Sequence, residues 1–512
     1  MVMKPNVDRT GRAAATVLAG SGFAIFTTLL GFWATPQILQ GLGNEKFGLA
    51  RALVDVFAYL GLLEFGLAGA TRASLAADVA SEDPSHKVAG LSLALRAHGR
   101  ATLWKVAVGI VLIVLSPFLL RIGDVRSSEV RLAAAVLAFT MLSTPIGALQ
   151  ALVSAEQRDY SNNLVIGLQN VLVTGSAVAF AWLRWGIPGQ MAAQALGAVF
   201  TCAVLVWLTR QTLKAVRRMA VPLDDQRRRD AFSKLNRANF WLILAGRLAL
   251  LSDRVTVGVF LGGDAVTSFH ATIRLSDAVF THLLGVGGAA WPAMADIHNR
   301  GERELFGKRL CEVTTTICGL GIMVAAPMLT INRAFVDLWL GPGIFAGWTL
   351  TAACCVNVTL LAIVSFWGWC FQSTRQVEAI VPVTIVASVA NVIVSVGGTL
   401  LIGSAGPALG TAIATSLVVV PWQMRIICRQ FAISMPALLL AIAKPLVLGL
   451  PYILLCKWAA LHWLVTRWDS VAFFAAATVL GWTVLAWVSV FDQETRRAWR
   501  GRAKRLLARV LP

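Results

Sequence analysis

The sequence contains few charged residues for its length. Charged side chains make up 14% of the 512 residues, and hydrophobic residues make up 57%. Soluble domains carry about a quarter of their residues as charged ones. Because so little charge cannot cover the surface of a soluble protein of this size, the composition indicates a polytopic membrane protein with little mass outside the membrane.

The sequence also lacks the motifs of several enzyme classes. It has no P-loop for nucleotide binding and no Asp-x-Asp motif of a glycosyltransferase, and its longest predicted loop is short and basic. The eight cysteines form no Cys-x-x-Cys pair and no Cys/His metal spacing, so we interpret them as small, buried, apolar residues. We therefore expect a protein that is not an enzyme and that has neither cofactor nor metal.

Long apolar runs are present instead. A helix that crosses the hydrocarbon layer needs about twenty apolar residues, and about fourteen segments reach that length. The sequence thus predicts an all-α polytopic membrane protein with about 14 transmembrane helices. The predicted spans lie at residues 14–40, 47–78, 90–120, 129–154, 161–183, 188–210, 237–261, 265–295, 309–332, 346–372, 378–402, 406–428, 437–459 and 469–490.

The net charge of +19 follows from where the basic residues lie. Lys and Arg concentrate in alternate loops and in the two tails, which is the positive-inside pattern and not the footprint of a nucleic-acid binder. This pattern predicts a multi-pass membrane protein with both termini in the cytosol. The first apolar run has no convincing cleavage site, so we expect it to remain as a span.

Two helical hairpins repeat 219 residues apart. Leu42-Gly43 closes one apolar helix and opens a second, and Leu261-Gly262 does the same. Small residues at matching positions set how closely two helices approach. The second helices are predicted to end in small residues, at 66–70 and at 285–289. Residues identical in this register are Leu42, Gly43, Ala52, Gly66, Gly69, Ala70 and Ala76.

The two hairpins cross the membrane in the same direction, because an even number of spans separates them. Such copies form parallel repeats about an axis along the membrane normal. We therefore predict two six-helix lobes, residues 1–210 and 237–430, joined by a basic cytosolic connection at 211–236. Residues 431–490 add two spans, and 491–512 form a basic amphipathic tail that lies on the anionic inner surface or binds a partner.

The hairpins and two later motifs resemble a known family. Leu42 to Leu49 followed by Tyr59 to Ala70 is similar to the first helical hairpin of polysaccharide flippases, which export lipid-linked O-antigen or exopolysaccharide units. They belong to the multidrug/oligosaccharidyl-lipid/polysaccharide exporter superfamily. The resemblance extends over spans one to twelve. Its later part is carried by Trp339-Leu340-Gly341 and by Asn391 with Gly403 to Gly410.

The resemblance implies a fold like that of multidrug and toxin extrusion (MATE) proteins, in which two lobes form a cavity that opens alternately to each side. It implies a substrate of undecaprenyl pyrophosphate carrying a short glycan, moved from the cytosolic to the periplasmic leaflet without chemistry. The expected partners are this lipid-linked glycan and membrane lipids, with the polysaccharide polymerase machinery a candidate partner and no nucleic acid. Whether protons or sodium drive transport stays open.

Ionisable residues at membrane depth are functional candidates, because each costs about 2.5–3.5 kcal/mol on insertion scales. Arginine suits a pyrophosphate, since its planar fork binds phosphate oxygens in bidentate fashion. The first hypothesis is that deep arginines line the cavity and bind the substrate, with nearby residues forming a coupling or charge network. The substrate-binding candidates are Arg247, Arg254, Arg274 and Arg51, and the network candidates are Asp55, Asp253, Asp277 and His270.

An internal salt-bridge network is the alternative interpretation of the same charges. The possible pairs are Arg51 with Asp55, Asp253 with Arg254, and Arg274 with Asp277. His270 titrates near neutral pH and is a candidate proton site, although a lone histidine in a helix more often bonds a neighbour. Glu64 lies on the opposite helix face from Asp55 and is expected to contact another helix.

Two further functions remain open. An ion-coupled multidrug exporter of the same superfamily would need carboxylates for cationic drugs, whereas spans seven and eight carry three deep arginines against two aspartates. The other alternative is a membrane scaffold that transports nothing.

Overall fold

The computed structural model describes residues 9–218 and 253–491, apart from 65, 82, 375, 376, 432 and 464, together with 230, 232, 233, 493, 496, 497 and 501. Every regular element among these residues is a helix. Ten helices of this part are long and apolar enough to cross a membrane, or eleven if one bent pair counts as a span. The all-α polytopic fold is confirmed. The count of fourteen stays a prediction, since most of 237–261 lies outside the described residues.

The chain divides into two compact units, Met1–Thr267 and Ser268–Pro512. The predicted lobe boundaries at 210 and 237 stay predictions, and the predicted amphipathic tail lies almost wholly outside the described residues. The helices of the first unit are α1 Arg9–Leu42, α2 Asn44–Ala58, α3 Leu67–Ala80, α4 Pro84–Leu119, α5 Ser127–Phe139, α6 Ile146–Ala155, α7 Asp159–Trp182, α8 Gly186–Leu208 and α9 Arg210–Arg218.

One helix, α10, begins in the first unit and continues into the second. The helices from there on are α10 Gly263–Asn299, α11 Arg303–Leu340, α12 Trp348–Ser373, α13 Val381–Ile402, α14 Gly406–Ala414, α15 Val420–Phe431, α16 Met435–His462 and α17 Trp468–Ser489.

The two predicted hairpin turns are formed by glycines in matching conformations. Gly43 has φ +79° and Gly262 has φ +91°. Residues with a Cβ rarely adopt this region, so glycine allows the chain to leave one helix and start the next without strain. The hairpin turns are thus located where the sequence repeat predicts them.

The two copies differ at the small-residue runs, and the prediction that such a run ends the second helix is wrong for the second copy. In the second copy α10 continues past 285–289 to Asn299. In the first copy a 3-10 turn, Tyr59–Glu64, precedes Gly66 at φ +85°, and the chain bends by 48° before α3 runs to Ala80. The small-residue run therefore lies inside α10 in the second copy, whereas in the first copy it forms the bend and the first turn of α3.

Aromatic packing fills the core of the second unit. Trp367 is fully buried in α12 among Leu310, Phe366 and Phe371, and its indole Nε1 donates a hydrogen bond to the Thr314 hydroxyl at 3.0 Å. A buried indole N–H needs such a partner. Trp367 therefore packs the core of the second unit.

Candidate functional site

The two hairpins contact each other within the first unit. The Thr267 hydroxyl donates a hydrogen bond to the Asn44 carbonyl at 2.6 Å, and a Cβ on Gly48 would lie 1.8 Å from the Gly263 carbonyl oxygen. Residues 44 and 48 precede 263 and 267 by the repeat offset of 219. Exchanging the two copies of the repeat converts the pair 44–267 into the pair 263–48. The contact therefore has the approximate twofold symmetry that parallel repeats predict.

A second close approach follows one turn further along α2. Ala52 is fully buried, and a Cβ on Gly258 would lie 2.9 Å from the Ala52 Cβ. The Gly258 carbonyl also accepts a hydrogen bond from the Arg121 backbone N–H at 3.1 Å. The helical segment 253–260 thus packs antiparallel against α2, because 258 meets 52 while 254 meets 55.

Asp55 and Arg254 form an ion pair between these two segments. The Arg254 guanidinium donates to the Asp55 carboxylate at 3.4 Å, and the two side chains are 28% and 15% exposed. Asp55 lies seven residues beyond Gly48, which is about 10 Å along the helix. The ion pair therefore lies deeper in the helices than the glycine contact. It is a long and partly exposed contact, which an anionic ligand can compete for.

Arg51 belongs to the same cluster. Its guanidinium lies 5.1 Å from the centre of the Phe47 ring, a cation–π arrangement one helical turn away. Arg51 also lies within electrostatic range of Asp55, and Asp253 lies within range of the nearby Tyr59. The structure thus brings four of the candidate residues together. Their two arginines and two carboxylates balance in charge.

The remaining candidates fall elsewhere. His270, Arg274 and Asp277 form one stripe of α10 in the second unit, where His270 is buried, Arg274 half-buried and Asp277 exposed. Each of these three residues takes part in at least one interaction. Arg247 lies outside the described residues, so its predicted place in a cavity stays a prediction.

A buried charge cluster in the first unit was missed by sequence reasoning. Lys105 in α4 is only 7% exposed, and its ammonium donates to the Glu64 carboxylate at 2.5 Å and to the Thr144 hydroxyl at 3.3 Å. His98 on the same helix is buried and shares a hydrogen bond with the Thr71 hydroxyl at 3.3 Å. The expectation that Glu64 contacts another helix is confirmed. A lysine inside an apolar helix was the available signal.

The described residues offer no evident metal centre. Within 9–218 and 253–491, no group of three or more His, Cys, Asp or Glu side chains is arranged to hold a metal ion. The Asp55–Arg254 cluster offers guanidinium and carboxylate groups, which bind ions and phosphates.

No model of a protein family matches this sequence, and no protein of curated function matches it either. Solved structures do match. The inward closed conformation of lipid II flippase MurJ has a TM-score of 0.69 at 14% identity, over 93% of this chain and 100% of that one. An outward-facing MATE transporter of the MOP superfamily has a TM-score of 0.55 at 15% identity, over 82% and 96%. A MATE protein in the bent conformation scores 0.54 at 15% identity, over 88% and 98%. The chain has the fold that these proteins share.

Proposed function

We propose that this protein is a membrane flippase. It moves undecaprenyl-pyrophosphate-linked oligosaccharide units from the cytosolic to the periplasmic leaflet of the bacterial inner membrane, for surface polysaccharide biosynthesis. Transport occurs by alternating access through a cationic cavity, with both chain termini in the cytosol. The lipid-linked glycan and membrane lipids are its partners, and the polymerase machinery acts on its product.

The fold supports a transporter of the MOP type. The lipid II flippase is matched over its whole length and at a higher TM-score than the two MATE structures above. These similarities at 14–15% identity concern the fold alone. The choice of a lipid-linked substrate over a cationic drug therefore depends on the charges of this chain.

The single observation that carries the substrate assignment is the Asp55–Arg254 ion pair. It lies about 10 Å along the helix from a contact between hairpins, its N–O distance is 3.4 Å, and 28% of the Arg254 side chain is exposed. A pyrophosphate offers Arg254 more oxygens than Asp55 does, in the geometry that a guanidinium fork prefers. In the proposed mechanism the substrate displaces Asp55 from Arg254, with Arg51 as a second cation and Arg247 and Arg274 as further candidates.

The test uses the purified full-length protein in liposomes. We expect it to expose a lipid-linked oligosaccharide to a lectin or oxidant on the opposite leaflet, while protein-free liposomes do not. Arg254→Ala should slow this exposure, because the pyrophosphate loses a partner that water does not replace. Arg254→Lys should recover part of the rate, since lysine keeps the charge and loses the fork.

The matched control is Arg300→Ala, because Arg300 pairs with Asp296 on an exposed helix face. This variant should transport as the parent protein does. A liposome arm with a cationic dye in place of the lipid identifies a drug exporter. Dye movement without lipid movement would replace the flippase assignment, and movement of neither would support a scaffold.

A further inference from the structure

A cavity of about 470 Å³ lies between three helices of the second unit. Its walls are the first turns of α11, the first turns of α16 and the end of α17. Both charged and apolar side chains line it. The lining residues are Arg303, Glu304, Gly307, Lys308, Cys311, Glu312, Thr315, Ile433, Ala437, Leu440, Ala441, Lys444, Val490 and Phe491.

The cavity runs along two parallel helices. Gly307 meets Ile433, where a Cβ on the glycine would lie 3.1 Å from the isoleucine side chain. Eight residues further on, the Thr315 hydroxyl donates to the Ala441 carbonyl at 3.1 Å. Ile433 lies just before the start of α16, and the spacing is the same in both segments, so the cavity has a mouth at the helix starts and a floor about 18 Å deeper than Arg303.

The charge that the cavity presents is positive. It is lined by three cations and two carboxylates, and the Glu312 carboxylate pairs with Arg309. Lys444 reaches the floor of the cavity and makes no ion pair with any side chain that the structure describes. The Cα–Cβ bond of a helical residue tilts toward the start of its helix, so a lysine at this position can extend toward the mouth.

The apolar wall opens to the surface of the spans. Leu440 is 62% exposed, and Ala437 and Phe491 lie beside it around the cavity. The helices that form the walls all have the length and composition of membrane spans. A ligand in this cavity therefore lies between Lys308 near the mouth and Lys444 near the floor, and meets an apolar, lipid-facing surface along its side.

We infer that this cavity binds the phosphate group of an anionic membrane lipid, with Lys444 and Lys308 on the phosphate and an acyl chain along Ala437 and Leu440. A phosphodiester flanked by acyl chains matches the pairing of cations with an apolar wall, whereas free phosphate makes no use of that wall. On the predicted orientation the site faces the cytosolic leaflet. This site is separate from the Asp55–Arg254 pair and does not depend on the proposed transport activity.

The test measures thermal stability of the delipidated, full-length protein in a neutral detergent. Phosphatidylglycerol should raise the unfolding midpoint by about 2–4 °C, because a ligand that binds only the folded state stabilises it. Diacylglycerol, which lacks the phosphate, and orthophosphate, which lacks the chains, should raise it much less. Lys444→Met should remove most of the rise, and Lys444→Arg should keep it.

The matched control is Lys457→Met on the same helix, because Lys457 lies 5.0 Å from the Trp348 ring and outside the cavity. This variant should keep the full response. If Lys444→Met does not fold, Ala437→Phe fills the cavity from its apolar wall and should remove the response instead. A full response in both cavity variants contradicts the proposal. An equal response to orthophosphate or to diacylglycerol contradicts the lipid phosphate as its ligand.

Discussion

Gly48 and Gly263 approach so closely that no side chain fits between them. A Cβ on Gly48 would lie 1.8 Å from the Gly263 carbonyl oxygen, and one on Gly263 would lie 2.3 Å from the Glu45 carbonyl oxygen. Small residues allow two helices to meet backbone to backbone. On the predicted orientation this contact lies on the periplasmic side. In a protein that works by alternating access, it has to separate when that side opens.

Gly48→Ala should therefore open this contact. The added methyl group meets a backbone atom, which cannot move without separating the helices. Thr267 is 1% exposed and serves as a reporter after substitution by cysteine. In a background without the native cysteines, external maleimide should label Thr267→Cys faster when Gly48→Ala is present.

The matched control is Gly175→Ala, since Gly175 lies in a helix with nothing near its Cβ position. It should leave the labelling rate unchanged. Equal labelling in the parent, Gly48→Ala and Gly175→Ala proteins would show that the glycine contact does not close this side.

The turn glycines could be predicted from the sequence, but the ion-pair partners of the charged residues could not. A repeated Leu-Gly at fixed offset identifies Gly43 and Gly262 as turns, because only glycine adopts their backbone conformation without strain. Helical spacing pairs Asp55 with Arg51 and places Asp253 next to Arg254. The structure pairs Asp55 with Arg254, 199 residues away, through packing that no local spacing records.

The same limit applies to Lys105. The sequence shows Lys105 within an apolar helix, and it places Glu64 on the opposite helix face from Asp55, which predicts a contact with another helix. That the two meet follows from the 3-10 turn Tyr59–Glu64, which presents Glu64 to α4. The sequence pattern predicted an unbroken helix there, so this pair could not be assigned.

Lys105→Met should destabilise the protein. It leaves the Glu64 carboxylate, which is 26% exposed, without its ammonium partner, at a cost of about 1–3 kcal/mol. Lys105→Met with Glu64→Gln removes both charges and should recover most of that loss. The measurement is the thermal midpoint of the solubilised protein for both variants.

Lys46→Met provides the comparison, because Lys46 pairs with Glu129 at 2.8 Å and is 38% exposed. An exposed pair contributes about 0–1 kcal/mol. If Lys105→Met and Lys46→Met lower the midpoint equally, Lys105 is not held in a desolvated pair.

The hairpin between α13 and α14 should tolerate no side chain at Gly410. A Cβ there would lie 2.4 Å from the Ser395 hydroxyl and 2.7 Å from the Ser395 backbone nitrogen. Gly410→Ala should cost about 1–3 kcal/mol or more through overpacking. Gly397→Ala in the same hairpin meets open space and should be neutral or stabilising, because alanine favours the helix. Similar thermal midpoints for the two variants would contradict the close packing.

A charge swap separates the two interpretations of the Asp55–Arg254 pair. Asp55→Arg with Arg254→Asp keeps one cation and one carboxylate in contact between the same two segments. If Arg254 binds the pyrophosphate, the swapped protein should fold but transport at least about 10-fold more slowly, because a displaced charge-assisted contact is worth about 1.5–3 kcal/mol.

The surface swap Arg300→Asp with Asp296→Arg should change neither folding nor transport. We expect each single reversal at Asp55 or Arg254 to lower the yield of folded protein, since two like charges then face each other. Full transport by the swapped protein would assign the pair to the salt-bridge network and leave the substrate to other arginines.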